Sequence, residues 1–225
     1  MAKRALIVWG GWKGHQPRQV ADIFSSALKK HGFEVEISCT LDAFLDDEKI
    51  RKLNLMVPVW TMGTLEHNQE KAVLEAVKSG VGLGGCHGGM CDAFRNNVGW
   101  QFMTGGQWVA HPGDDGVRYK IHIEDADHFI TKGSKDFYVV SEQYYLHTDP
   151  ANRVLATTEF PVAEGPHTPN GKFKMPQVWT KMWGKGRVYY NALGHQANIV
   201  AQPEVLRLMV RGFLWAAKAE ELATN

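Results

Sequence analysis

The feature that most constrains the fold is a repeated order of buried strand and amphipathic helix in the first half of the chain. Residues 4–9 form a continuous apolar run that ends at two glycines, which is typical of a strand buried on both faces. An amphipathic helix is predicted at residues 16–30. The alternation continues with strands and one further helix, at 33–38 (strand), 53–60 (strand), 65–78 (helix) and 81–86 (strand). This order predicts right-handed crossovers and a parallel sheet.

The second half of the chain has a different pattern and predicts antiparallel strands. Three strands are expected first, at residues 117–123, 137–145 and 154–158. A loop rich in Gly, Pro and Asn follows at 161–176, and Gly184-Lys185-Gly186 then separates strands 178–183 and 187–192 as a hairpin turn. We therefore predict an α/β fold with a mostly parallel central sheet and an added antiparallel hairpin region. Its 225 residues suit a single domain, 1–225.

Composition excludes several classes of function. The 25 basic and 24 acidic residues give a formal charge of +1, so no global field favours nucleic acid or an anionic membrane. The apolar run at 5–9 is too short for a signal sequence or a membrane span. Three cysteines without framework spacing indicate a reducing, cytoplasmic location. The eight tryptophans leave a homo-oligomeric interface open.

The strongest local motif is Gly84-Gly85-Cys86-His87-Gly88, which fits G-x-C-x-G at the end of a predicted strand. A sharp strand-to-helix turn, here called the elbow, exposes its central residue and directs backbone N–H groups at one point, as a nucleophile or an anion requires. Such a position would also favour the thiolate of Cys86. The alternative interpretation is a tight turn whose glycines permit close packing around a buried cysteine.

Further candidate residues lie where strands end, because ligands of parallel sheets bind beyond the carboxyl ends of the strands. His15 follows the first strand, in a glycine-rich loop that fits neither G-x-G-x-x-G nor a P-loop, so no nucleotide cofactor is expected. His195 follows the last strand and could approach the elbow. Glu142 and Tyr144 would share one face of strand 137–145, where the carboxylate could act as a general base or a metal ligand. The alternative interpretation is a polar cluster at the strand end that faces solvent.

The motifs also resemble a known family when they are taken together and in order. Seven blocks across nearly the whole chain are similar to the ThuA-like (trehalose utilisation) family: GGWKGHQP, WTMGT, GGCHGGMCDAFR, GGQWVAHPG, SEQYYLHTDPANRVLATT, MPQVWT and GKGRVYYNALGH. The resemblance implies a flavodoxin-like three-layer sandwich related to class I glutamine amidotransferases, and a role in carbohydrate catabolism. Glutamine amidotransferases have His-x-Glu late in the chain, whereas here Ala197 stands two positions after His195, where the glutamate would be. This departure opposes a glutaminase.

The leading hypothesis is a sugar-processing enzyme, a metal-assisted isomerase, lyase or hydrolase that acts on a 3-keto-glycoside or a related keto sugar. No local metal motif occurs, so any metal site must be assembled from distant segments. The predicted ligands of a divalent ion (Zn, Mn, Fe or Ni) are His15, His87 and His195. Glu142 or His87 would act as the base, with His195 also in a catalytic role. The predicted substrate contacts are Trp12, Trp60, Asp92, Arg95, Trp108, His111, Tyr144 and His147. Two alternatives are a Cys86-dependent amide or acyl hydrolase and a non-catalytic sugar-binding module.

Overall fold

The computed structural model describes residues 2–223 and has the predicted α/β architecture. The strands are Lys3–Gly11 (β1), Phe33–Ser38 (β2), Leu55–Thr61 (β3), Gly82–Cys86 (β4), Gly106–Ala110 (β5), Val117–Ile123 (β6), Phe137–Ser141 (β7), Tyr145–Thr148 (β8), Arg153–Phe160 (β9), Phe173–Trp183 (β10) and Gly186–Asn191 (β11). The α-helices are Pro17–Lys30 (α1), Asp47–Ile50 (α2), His67–Ser79 (α3), Gly88–Cys91 (α4), Val98–Thr104 (α5), Ala197–Val200 (α6) and Pro203–Ala216 (α7). No helix of the described residues is long and apolar enough to cross a membrane.

The central sheet has nine strands over residues 2–223, in the order β2-β1-β3-β4-β11-β10-β9-β6-β7. The first five pair in parallel and are called the parallel half below. The remaining four pair antiparallel, and together with the separate β5–β8 sheet they are called the antiparallel half. The predicted fold class is confirmed. The antiparallel region is larger than one hairpin, because β9, β6 and β7 continue the sheet beyond β10.

Two apolar clusters form the core on opposite faces of the sheet, as the period of two along a buried strand requires. In β1, Ala5 and Ile7 face one cluster, which also contains apolar side chains of α1 and α7. Leu6 and Val8 face the other cluster, which includes residues of α3 and α5. The result is a helix–sheet–helix sandwich of three layers, which confirms the expected layer arrangement.

Two predicted boundaries in the second half of the chain are wrong. The strand expected at 137–145 ends at Ser141, and the chain then crosses to a different sheet, where β8 begins. The buried Gln143 causes this break, because its Nε2 donates to the Glu159 carbonyl at 2.8 Å and its Oε1 accepts from Val162 N at 3.0 Å. The loop expected at 161–176 is also shorter, because its last residues already belong to β10.

Candidate metal centre

Four buried side chains meet at the carboxyl edge of the parallel half: His15, His87, Glu142 and His195. One ligand atom from each lies within 4.8 Å of the others. This confirms the central geometric expectation from the sequence, that distant histidines and Glu142 converge near the elbow. Buried charges and imidazoles are costly without partners, so the convergence indicates a functional cluster.

The parallel half supplies all three histidines of the cluster. His15 ends a short 3-10 turn just after β1, His87 follows β4 directly, and His195 lies a few residues after β11. β1, β3, β4 and β11 are successive neighbours in the sheet, so their carboxyl ends lie side by side. Thr61, the last residue of β3, holds the His15 ring through an Oγ1···Nδ1 hydrogen bond of 2.9 Å. That bond leaves His15 Nε2 available to an ion.

Glu142 reaches the cluster from the antiparallel half. It is the first residue after β7, in the segment that crosses from the central sheet to β8. Its backbone carbonyl accepts a 2.8 Å hydrogen bond from the buried Tyr119 hydroxyl on β6. Its carboxylate lies between two histidines, with Oε2 3.0 Å from His87 Nε2 and Oε1 3.3 Å from His195 Nδ1.

His87, not Cys86, is the central residue of the elbow. His87 has φ 50° and ψ −140°, a strained conformation for a residue with a side chain, while Cys86 is the last residue of β4. The Cys86 thiol is buried, and burial raises its pKa to about 12. The low thiol pKa expected from the sequence is therefore not found, and a role for Cys86 as nucleophile has no support in this geometry.

The hydrogen bonds of His87 place its Nε2 opposite the Glu142 carboxylate. Its Nδ1 lies 2.7 Å from the Ala192 carbonyl oxygen, which can only accept, so Nδ1 carries a proton. Neutral His87 then has a lone pair on Nε2, which faces the Glu142 carboxylate. Two acceptors at this distance need a proton or a metal ion to bring them together. The His87–Ala192 bond is also the kind of contact that orients metal-bound imidazoles in proteins.

The electrostatics of the cluster favour neutral His15 and His87 beside an ionised Glu142 carboxylate. Burial, with a contribution from His87, lowers the pKa of His15 to about 2, and burial lowers the pKa of His87 as well. Burial by itself would raise the pKa of Glu142, but the imidazoles of His195 and His87 outweigh it and lower that pKa. Neutral imidazole and carboxylate are the forms that bind a divalent ion, so the donor set fits one.

A cavity of about 390 Å³ opens onto this cluster. Most of the predicted substrate contacts line it, namely Trp12, Asp92, Arg95, Trp108, His111 and Tyr144. The Tyr144 ring stacks on His87 with centroids 3.9 Å apart, and His111 Nε2 lies 3.9 Å from Glu142 Oε1. Arg95 forms a two-point ion pair with buried Asp92 and places its guanidinium 4.6 Å from the centre of the Trp108 ring.

Two predicted contacts lie elsewhere, and three lining residues were not predicted. Trp60 packs against Gly10 near the end of β1 and Gly63 in the loop after β3, and His147 is exposed on β8 outside the cavity. Their prediction as substrate contacts is not supported by these positions. The lining residues missed in the sequence are Thr61, Met62 and Asp114. Thr61 could have been found, because it stands at the carboxyl end of β3 within the block WTMGT.

The sequence matches the family model ThuA, described as trehalose utilisation, over residues 4–216. The α/β fold with a histidine-rich site at the carboxyl edge of its sheet agrees with that match. The chain belongs to the ThuA family. No curated protein matches the sequence.

Solved structures with the same fold include two ThuA-like proteins. One, from Bacteroides uniformis, is 18% identical with a TM-score of 0.77, covering 95% of this chain and 91% of the other. A second, from Parabacteroides merdae, is 18% identical with a TM-score of 0.70, covering 96% and 90%. A β-galactosidase from Bacillus circulans sp. alkalophilus matches at 13% identity and a TM-score of 0.64, covering 98% of this chain but 31% of its own. At these identities the likeness concerns the fold alone.

Proposed function

We propose that this protein is a metal-assisted sugar-processing enzyme, an isomerase, lyase or hydrolase that acts on a 3-keto-glycoside or a related keto sugar. The observation that carries the proposal is the convergence of four buried donor groups within 4.8 Å at the edge of the sheet. Membership in the trehalose utilisation family supports a sugar as substrate. A cytoplasmic location stays a prediction.

In this proposal His15, His87 and His195 hold a divalent ion, and Glu142 moves the proton. The ion supplies Lewis acidity, which stabilises negative charge on a keto oxygen. A ketone acidifies the adjacent C–H bond, so a carboxylate beside it can remove that proton. Of the two carboxylate oxygens, Oε1 suits this role better, because it lies 3.9 Å from His111, which lines the cavity, whereas Oε2 faces His87 Nε2.

The cavity walls supply the contacts that a sugar ring needs. Trp12 is 45% exposed above His15, and its indole is free to lie against the apolar face of a ring. The Arg95 side chain also lines the cavity; it is 44% exposed and its guanidinium is held by Asp92, so it can donate to hydroxyl groups without losing its position. Together with the carboxylates of Asp114 and Glu142, these walls favour a neutral, hydroxylated ligand over a strongly anionic one.

The first test is metal content together with turnover of 3-keto-glucosides. We expect the purified protein to hold about one divalent ion, and a chelator to abolish turnover until metal is restored. His15→Ala should lose the ion, whereas the exposed His67→Ala should keep it and serve as the matched control. Full metal occupancy in His15→Ala, or turnover in the presence of chelator, would contradict the proposal.

The second test separates the base from the ligands. Glu142→Gln should keep the fold and most of the metal and lower kcat by about 100-fold or more, because the carboxamide cannot accept the proton. If Glu142→Gln loses the metal instead, Glu142 is a ligand and another group is the base. Cys86→Ala should retain normal turnover, and an inactive but folded Cys86→Ala protein would revive the hydrolase alternative.

A further inference from the structure

A second cavity, of about 730 Å³, adjoins the one at the metal centre. Trp108 and His111 line both cavities, so a ligand seated at the metal centre could extend past these two residues into the second cavity. Ligand sites in proteins usually measure ~300–1,000 Å³. Each cavity alone is within that range, and together they offer room for more than a single sugar ring.

The walls of the second cavity differ in chemistry from those of the first. Tyr145, Phe160 and Phe173 form a cluster of rings with centroids 5.4, 5.6 and 6.2 Å apart. Among the described residues, those lining this cavity include no carboxylate, ammonium or guanidinium group. Val109 and Phe173 are each 39% exposed, so apolar side chains of the second cavity are left open to water. An occupant with an apolar surface would remove that area from water.

We propose that the second cavity binds the aglycone of a glycoside and favours an aromatic one. The inference rests on the proposed function, since it requires the keto-sugar ring to lie at the metal centre. A second sugar fits the walls less well, because each buried hydroxyl would need a hydrogen-bond partner. Two of the polar side chains that line the cavity already have partners, because His167 Nε2 bonds the Ala163 carbonyl at 3.2 Å and Asn170 Nδ2 donates to the His167 carbonyl at 3.1 Å. Aromatic aglycones, by contrast, gain offset or edge contacts with the three rings.

Binding of unreactive glycosides tests the inference independently of turnover. Phenyl glucoside and methyl glucoside are titrated into the metal-loaded protein by isothermal calorimetry. The two α anomers are compared with each other, and so are the two β anomers. We expect phenyl glucoside to bind about tenfold more tightly than methyl glucoside. Phe173→Ala should reduce this ratio to about threefold or less and leave the affinity for methyl glucoside unchanged. Phe173→Leu, which keeps apolar bulk at the start of β10, guards against a folding defect and should reduce the ratio, but less than Phe173→Ala does, because it keeps apolar contact area and loses only the ring contacts.

The matched control is Tyr138→Ala, which removes an aromatic ring that is 52% exposed on β7, away from both cavities. It should leave both affinities unchanged. Equal affinity for phenyl and methyl glucosides, or tighter binding of a disaccharide than of phenyl glucoside, would overturn the inference. So would a dimer that Phe173→Ala dissociates, because the apolar surface would then be a subunit interface.

Failure of the proposed aglycone site can be distinguished from failure of the proposed reaction. If keto derivatives of both glucosides are inert while the Phe173-dependent preference for phenyl glucoside persists, the aglycone site stands and the proposed reaction falls. If keto glucosides turn over with no preference for the phenyl compound in either binding or kcat/KM, the reaction stands and the aglycone site falls.

Discussion

The parallel and antiparallel halves of the molecule contribute different parts of the candidate site. The parallel half supplies three imidazoles from the ends of β1, β4 and β11, so their spacing is fixed by the spacing of the strands. The antiparallel half supplies Glu142, Trp108 and His111, which line the cavities. The proposed metal ligands therefore lie at the ends of the regular parallel strands, while most of the proposed substrate contacts from the antiparallel half lie at its strand ends and connections.

The two halves are also held together by different interactions. In the parallel half, backbone approaches backbone closely where glycine leaves room, as at Gly11 beside the carboxyl end of β3. In the antiparallel half, buried side chains bond distant backbone carbonyls, as Trp179 Nε1 does to Thr104 O at 2.9 Å. Lys181 likewise bonds the Phe102 carbonyl. Added volume at Gly11 and the loss of a partner of Lys181 therefore test one such interaction in each half.

The largest expected effect comes from Gly11→Ala in the parallel half. Gly11 has φ 75°, and a Cβ there would overlap the Thr61 carbonyl oxygen. The strain and the overlap together should lower the free energy of unfolding by about 3–5 kcal/mol, measured by urea denaturation. Metal affinity should fall as well, because Thr61 holds the ring of His15.

Gly32→Ala is the control that separates the effect of a positive φ from the effect of the added Cβ. Gly32 has φ 79°, nearly that of Gly11, but no atom lies within 4 Å of its added Cβ. It should cost only about 1 kcal/mol and leave metal affinity unchanged. Equal losses in Gly11→Ala and Gly32→Ala would show that close backbone approach is not what distinguishes the parallel half.

An intermediate effect is expected for Asp149→Asn in the antiparallel half. Asp149 Oδ2 lies 2.5 Å from Lys181 Nζ, and the lysine side chain is only 7% exposed. Removing the carboxylate leaves a buried ammonium with one partner fewer, which should cost about 2–3 kcal/mol. The exposed pair of Lys172 and Glu159 provides the control, since Glu159→Gln should cause no measurable change.

The difference in stability between wild type and Asp149→Asn should depend on pH, because the Asp149 carboxylate can be protonated. The hydrogen bond with Lys181 lowers the pKa of Asp149, so the folded state holds the proton less tightly than the unfolded state. The stabilisation is therefore complete above the unfolded pKa of about 3.9 and is lost as pH falls below it. Wild type and Asp149→Asn should differ fully at neutral pH and converge in acid. A difference that persists unchanged in strong acid would contradict the ion-pair interpretation.

The parallel half could largely be predicted from the sequence because its signals are local. Apolar runs and helical stripes place strand ends within a few residues, and strand ends fix the edge where His15 and His195 lie. The elbow shows where local signals become ambiguous. Both Gly84-x-Cys86-x-Gly88 and Gly85-x-His87-x-Gly89 fit the same glycine pattern, so sequence alone does not reveal which side chain is at the centre.

The antiparallel half was harder to predict because its decisive contacts are distant in sequence. Residues 137–145 read as one strand, and the break after Ser141 depends on bonds from Gln143 to residues about two strands later. The tryptophans show the same limit. Trp60 and Trp108 both stand near glycines in the sequence, yet Trp60 packs against Gly10 and Gly63 while Trp108 lines both cavities.

The smallest expected effect gives the sharpest comparison of the halves. Tyr119→Phe removes a buried hydroxyl that donates to the Glu142 carbonyl at 2.8 Å, and Tyr189→Phe removes one that donates to the Leu208 carbonyl of α7 at 2.9 Å. Each should lower the free energy of unfolding by about 1 kcal/mol, because each leaves a buried carbonyl without its donor. Only Tyr119→Phe should lower kcat, by several-fold, with metal content unchanged, because only it loosens the segment that carries Glu142. Equal kcat values in the two variants would mean that the histidine cluster alone positions Glu142, and the antiparallel half would then lose its assigned role in holding the carboxylate.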